Sequence, residues 1–170
     1  MMKAMIISDS HGLTEELIIL KKKHTDVDVC IHCGDSELDI SHESLASFEL
    51  VRGNCDFDPQ FPNAITKELL GLRFFITHGH LYNVKMTLMN LAYKAEEEQA
   101  EIVCFGHSHI AGSEMIGGRL FINPGSIRLP KGIHEKTYVL LEVQNREIKV
   151  QFYSLEGNLL KSLSKTYHLE

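Results

Sequence analysis

No stretch of the chain approaches the roughly 20 apolar residues that a membrane-spanning helix needs, so no membrane partner is expected. Positive charge is scarce: 17 lysines and arginines stand against 23 aspartates and glutamates, a net charge of −6. That balance argues against a general nucleic-acid binder and admits nucleic acid only as a small or nucleotide substrate. Cysteines number four. Cys30 and Cys33 have C-x-x-C spacing but lie inside an apolar run rather than opening a helix, so neither redox nor zinc chemistry is expected there. They read as buried thiols. Repeats, low-complexity tracts, linkers and a signal-peptide pattern are all missing, and the expected location is cytoplasmic.

What is present is one domain's worth of chain. The 170 residues, 44% of them hydrophobic, can bury a sizeable core, and the expected unit is a single domain over 1–170. Ala4 to Ile7, Val27 to Cys33, Phe48 to Arg52 and Leu72 to Thr77 read as strands. Ile102 to Phe105 and Leu120 to Ile122 follow, then Thr137 to Val143, Ile148 to Tyr153 and a last polar strand beyond Gly157-Asn158. Ile65 to Leu70 pairs with Leu72 to Thr77 as a hairpin around Gly71, and Gly117-Gly118 and Gln144-Asn145-Arg146 mark further turns. A helix is predicted from a Thr14 cap to about His24, a short one over Ser41 to Ser47, and the longest over Lys85 to Ala100. Met86, Met89, Leu91, Ala92 and Tyr93 would form the apolar face of that longest helix. The early alternation of strand and helix predicts parallel pairing.

The strand ends carry the chemistry. Five apolar strands run out into short polar clusters: Asp9 and His11, Asp35, Asn54, His78, and His107 with His109. Strand carboxyl ends on one edge of an α/β sheet are the usual place for a ligand. Two carboxylates, one amide oxygen and four imidazoles are too many donors for one ion. They suit a pair of divalent ions, with Asp35 as the natural bridge because a carboxylate has two oxygens. Mixed nitrogen and oxygen donors favour manganese, iron, zinc, cobalt or nickel over calcium.

The ordered run D-x-H, G-D, G-N-x-D, H-G-H and G-H-S-H resembles the calcineurin-like metallophosphoesterases, in particular the small YfcE-type phosphodiesterases. The resemblance covers nearly the whole chain. It implies an α/β fold with a two-sheet β-sandwich flanked by helices. It also implies that Asp9, His11 and His109 hold one metal, that Asn54, His78 and His107 hold the other, and that Asp35 bridges them. Manganese is the expected ion, with nickel, zinc, iron, cobalt or magnesium as alternatives. The implied reaction is phosphodiester hydrolysis by a metal-bridging hydroxide, with Asp35, Asn54, His78 and His107 acting through it. The implied partner is a small phosphodiester substrate; a homo-oligomer, dimer or tetramer, is left open. The alternative is a non-catalytic scaffold, because a eukaryotic retromer subunit shares this fold.

The chain departs from the wider superfamily at Cys55, where a histidine commonly follows the asparagine to act on the leaving group. Cys55 is read as a packing residue, which leaves leaving-group protonation in doubt. Asp56 is expected to fix the loop around Asn54, and His80 to orient a ligand or touch phosphate. His32 reads as a satisfied core histidine, and His24, His42, His134 and His168 as surface residues. Asn123 and Ser126, in the N-P-G-S turn, are expected to support the site. Arg128 and Lys131 read by default as solvated charges that could meet an anionic substrate.

Overall fold

A computed structural model describes residues 1–170. The strands fall into two sheets. The first contains β1 (Met2–Ile7), β2 (Val29–His32), β3 (Phe48–Leu50), β9 (Thr137–Gln144), β10 (Glu147–Ser154) and β11 (Lys165–His168), in the order β11-β10-β9-β1-β2-β3. The second contains β4 (Ala64–Leu69), β5 (Leu72–Thr77), β6 (Ile102–Cys104), β7 (Gly112–Ile116) and β8 (Arg119–Asn123), in the order β4-β5-β6-β8-β7. Parallel pairing is confined to β1-β2-β3 and β5-β6-β8; every other pairing is antiparallel.

Alternation along the strands builds the layers. Ala4 and Ile6 of β1 face inward, where they meet Phe74 and Ile76 of β5 and Ile122 of β8 in the core between the sheets. Met5 and Ile7 face the other way, onto Leu17 and Leu20 of α1 (Glu15–Lys23). Phe75 of β5, Val103 of β6 and Phe121 of β8 point outward onto Leu91 and Ala95 of α2 (Met89–Glu97). Each sheet thus buries both faces, and one helix covers each outer face.

Several local expectations need correction. α2 begins at Met89, not Lys85, and with nine residues it equals α1 rather than exceeding it. Residues 83–86 form a turn instead, and Thr87 Oγ1 accepts from the Met89 N–H at 3.2 Å, where the helix begins. Met86, Met89 and Tyr93 are exposed; the buried stripe is Leu91 and Ala95. Thr14 occupies the N-cap of α1 but makes no side-chain capping bond. The charges of α1 still suit its dipole, with Glu15 and Glu16 in the first turn and Lys21, Lys22 and Lys23 in the last. Ser41 to Ser47 contains only a single 3-10 turn, Glu43–Leu45, capped by His42 accepting from the Ser44 N–H at 3.1 Å. His24 is half-buried against the Tyr138 hydroxyl at 2.8 Å, and Cys30 is only half-buried. His32 is fully buried and satisfied: Nδ1 accepts from the Gly34 N–H at 3.0 Å, so the proton sits on Nε2, 2.8 Å from Ser10 Oγ. Burial pushes its imidazole down to about 4.

Candidate metal centre

The polar strand ends come from both sheets, not from the edge of one. β1, β2 and β3 of the first sheet and β5 and β6 of the second deliver them to a common point. All seven expected donors meet there. Asp9, His11 and His109 form one close group, and Asp35, His78 and His107 another. Asn54 Oδ1 lies 3.1 Å from His78 Nε2, which puts it with the second group. Asp35 Oδ2 lies 3.1 Å from His78 Nε2 and 3.9 Å from His11 Nε2, between the two groups.

Each carboxylate has one oxygen held by the protein and one aimed at the centre. Asp9 Oδ2 accepts from Ser8 Oγ at 2.5 Å and from the His107 N–H at 3.1 Å. Asp9 Oδ1 is buried with no hydrogen-bond partner, and lies 3.1 Å from His109 Nε2, 3.7 Å from His11 Nε2 and 3.8 Å from His78 Nε2. Asp35 Oδ1 accepts from the Cys55 N–H at 2.8 Å, leaving Oδ2 free.

The imidazoles are oriented the same way. His78 Nδ1 lies 2.7 Å from the Cys33 carbonyl and His109 Nδ1 2.7 Å from the Leu129 carbonyl. A carbonyl only accepts, so both Nδ1 atoms carry the proton and the neutral rings turn Nε2 lone pairs inward. His11 Nδ1 is held by Glu37 Oε1 at 2.6 Å with the same result. Lone pairs of nitrogen and oxygen then face one another across about 3 Å, which is repulsive unless a cation lies among them. An unpartnered buried carboxylate oxygen beside three such nitrogens fits a divalent metal ion.

The electrostatics follow. Burial would raise the Asp9 carboxyl, but His109, His78 and Ser8 outweigh it and hold it below the usual range. Asp35 is held well below that range: burial opposes, but the His78 imidazole and the Cys55 N–H prevail. The His109 imidazole is raised by the Asp9 carboxylate 3.1 Å away. His78 is also raised, because Asp35 and Asp9 overcome its burial. The chain alone therefore draws protons onto these rings. His107 goes the other way, pushed down to about 4 by burial, His78 and Lys85.

The backbone is shaped around the site. Asp9, His11, Asp35, Glu37, His107 and His109 all have φ between 40° and 71°, in the left-handed region. Such residues cost on the order of 1 kcal/mol or more each and cluster where function holds them. Two glycines let the chain crowd in: a Cβ on Gly53 would strike the Asp35 carboxylate, and one on Gly106 would strike Ser8 Oγ.

Asp56 does more than fix one loop. Its Oδ2 accepts from the Asp35 N–H at 2.9 Å and the Gly53 N–H at 2.6 Å, and its Oδ1 from the Glu37 N–H at 2.8 Å. It ties the loops after β2 and β3 together. Ser126 Oγ donates to the Asp9 carbonyl at 2.7 Å, and Asn123 Nδ2 to Ser108 Oγ at 2.9 Å, so the N-P-G-S turn braces the donors. Arg128 is exposed, as expected of a solvated charge, and one guanidinium nitrogen also donates to the His11 carbonyl. His80 bonds to none of the seven; its Nδ1 is buried without a partner and its ring lies 5.4 Å from that of His78. Burial and the negative charges of Asp35 and Glu37 push the Cys55 thiol up to about 11. Glu37 was missed in the sequence, where it is an acid in an ordinary loop two residues past Asp35.

A two-sheet sandwich with carboxylates and imidazoles converging from both sheets defines a metallohydrolase class of site. The family described as the calcineurin-like phosphoesterase superfamily domain matches residues 2–146. The chain is 48% identical over 163 residues to a probable metallophosphoesterase, YsnB, of Bacillus subtilis, covering 95% of this chain and 96% of that protein. It is 30% identical over 113 residues to phosphodiesterase YfcE of Escherichia coli, covering 61% of this chain and 55% of YfcE. Its structure matches that of a Streptococcus pneumoniae TIGR4 protein, described as a predicted phosphoesterase, with a TM-score of 0.94, 33% identity and coverage of 98% and 97%. Vps29 of Chaetomium thermophilum matches with a TM-score of 0.80 at 17% identity, covering 99% of this chain and 98% of Vps29, a likeness of fold. The chain belongs to the calcineurin-like phosphoesterase superfamily, whose members use divalent metals. No helix is long and apolar enough to cross a membrane.

Proposed function

We propose that the chain hydrolyses small phosphodiesters at a pair of divalent ions, manganese foremost, in the cytoplasm. The observation that carries this reading is Asp9 Oδ1, buried, unpartnered and ringed by three imidazole nitrogens. Asp9, His11 and His109 would hold one ion, Asn54, His78 and His107 the other, with Asp35 between them. When bound, the ions supply Lewis acidity toward phosphoryl oxygens and acidify water.

The chain's own residues do the rest. The carbonyls of Cys33 and Leu129 and the Glu37 carboxylate lock three imidazoles with Nε2 inward. Asp56 holds the backbone on which Asp35 sits. Cys55 is a poor general acid in either state: as a thiol it is weakly acidic, and cations nearby would favour the thiolate, which has no proton to donate. That favours esters whose leaving group departs as a stable anion. The name of the YfcE relative supports a diester over a monoester.

The Vps29 likeness favours a second reading, a non-catalytic interaction scaffold. The complete donor set argues against it, since a scaffold has no chemical need of seven converging donors. Manganese-loaded protein assayed against bis(4-nitrophenyl) phosphate and 4-nitrophenyl phosphate separates the two. The reading expects turnover of the diester that disappears with chelation. No turnover of either ester by metal-loaded protein would favour the scaffold.

A further inference from the structure

A groove of about 600 Å³ reaches Ser108, between two of the donors in the chain, and its size suits a small organic ligand. Val84, Leu88 and Ile110 line it, with Phe105 and Phe121 beneath, so its walls are apolar. Lys85, Lys131 and Lys165 also line it. None of the three forms an ion pair. The groove holds one carboxylate, Glu114, so three lysines less one acid leave two positive charges. In a chain of net charge −6 this is a local reversal of sign. Long lysine stems can cover apolar surface while their ammonium groups wait at the rim.

None of the seven donors lines the groove, but it borders the loop that carries His107 and His109. Ser108 lines it and sits between His107 and His109 in the chain. The Lys131 N–H donates to the His109 carbonyl at 3.0 Å. A second cavity, on the Asn54 side, has a different character: it is lined by Arg52, Asp56, Asn63 and His80 and only one apolar side chain, Leu81.

We propose that this groove receives the non-reacting ester group of the substrate, and that this group is an apolar ring system bearing a negative charge of its own. The assignment rests on the phosphodiesterase reading and narrows its substrate class. Apolar walls reward a ring by the area they remove from water. Unpaired lysines reward the charge, and they also draw an anion toward a protein that is otherwise repulsive to it.

8-Anilino-1-naphthalenesulfonate is a ring system with one negative charge and reports binding by fluorescence, with or without metal. Gly112→Trp fills the groove: Gly112 lines it, and a Cβ there meets nothing within 4 Å. Lys85→Gln with Lys131→Gln removes rim charge, and Lys161→Gln, outside the groove, is the control. The expected result is saturable binding of one dye per chain. It should weaken at least tenfold in Gly112→Trp and in the double lysine variant, and stay unchanged in Lys161→Gln, with circular dichroism confirming the fold of each. In parallel, the preference in kcat/KM for a sulfonated naphthyl 4-nitrophenyl phosphate over methyl 4-nitrophenyl phosphate should fall at least tenfold in both groove variants. Hydrolysis of both esters with dye binding and preference unchanged by the variants would overturn the groove assignment alone. Hydrolysis of neither ester by metal-loaded protein would overturn the phosphodiesterase reading and the substrate assignment with it. If Gly112→Trp instead dissolves an oligomer in sedimentation while dye binding persists, the groove is an interface between copies and the assignment is wrong.

Discussion

Asp9 Oδ1 lies 3.1 Å from His109 Nε2, while Nδ1 of the same ring donates to the Leu129 carbonyl. Two acceptors therefore meet in a buried place where no protein group donates to that oxygen. A proton can fill the gap, and the raised His109 imidazole shows the pull on one. A divalent ion fills it better, because it also serves His11 and His78 nearby.

Asp35 stands between the two donor groups, so its charge serves both. Asp35→Asn keeps the shape and loses the charge. Metal affinity should fall at both positions, and phosphodiester turnover should drop roughly 100-fold or more. Metal content and kcat on bis(4-nitrophenyl) phosphate check this together. Activity within a few-fold of the parent with metal content unchanged would remove Asp35 from the centre.

Glu37 was not foreseen, yet it grips His11 Nδ1 at 2.6 Å. Glu37→Gln preserves the reach but not the charge that raises the basicity of the ring. Loss of such a partner typically costs 10–100-fold in metal affinity. Calorimetric titration with manganese should show a loss of that order, with the thermal transition of the metal-free protein little changed.

His32 gives a pH dependence with a definite sign. Its folded pKa, about 4, lies below the unfolded value of about 6.5, so the unfolded chain takes the proton first. Its contribution is complete above about pH 6.5 and declines as pH falls toward 4, by about 3 kcal/mol at most. His78 and His109, held above the ordinary value, act with the opposite sign in metal-free protein, so the His32 term is read from urea unfolding between pH 7.5 and 4.5 as the difference between the parent and His32→Gln. Asp9 and Asp35, held low, lose stability at more acid pH by the same sign rule and add to the slope. His32→Gln should flatten the part of the curve between 6.5 and 4; equal slopes in the two proteins would refute the assignment.

Cys55 stands where the resemblance to the wider superfamily implies a histidine. Help from a positioned general acid is worth about 10²–10⁴-fold where protonation limits the rate. Cys55→His should therefore raise turnover of esters with poor leaving groups and flatten the dependence on leaving-group pKa. Cys55→Ala should change little for nitrophenyl esters. Abolition of nitrophenyl ester turnover in Cys55→Ala, with metals still bound, would make the thiol catalytic.

Much of this site was legible because its signals are local. An apolar strand running out into an acid or histidine with a glycine close by recurs at Asp9, Asp35, His78 and His107, and period-two alternation placed the strands. Two sheets rather than one were not visible in those strand endings, because residue order says nothing of which strands pair. The left-handed backbone at Asp9, His11, Asp35, His107 and His109 was hidden too, since aspartate and histidine do not announce positive φ as glycine does. Glu37 was invisible because its role depends on a loop folding back over His11. α2 was overextended because Met86, Met89 and Tyr93 mimic a helical stripe, whereas packing chose Leu91 and Ala95.

The central claim is that seven side chains hold two ions. Protein dialysed to equilibrium against manganese and then assayed by elemental analysis measures this directly, with turnover recorded on the same samples. The account predicts about two manganese ions per chain at full activity. A steady value near one, with full activity, would contradict it.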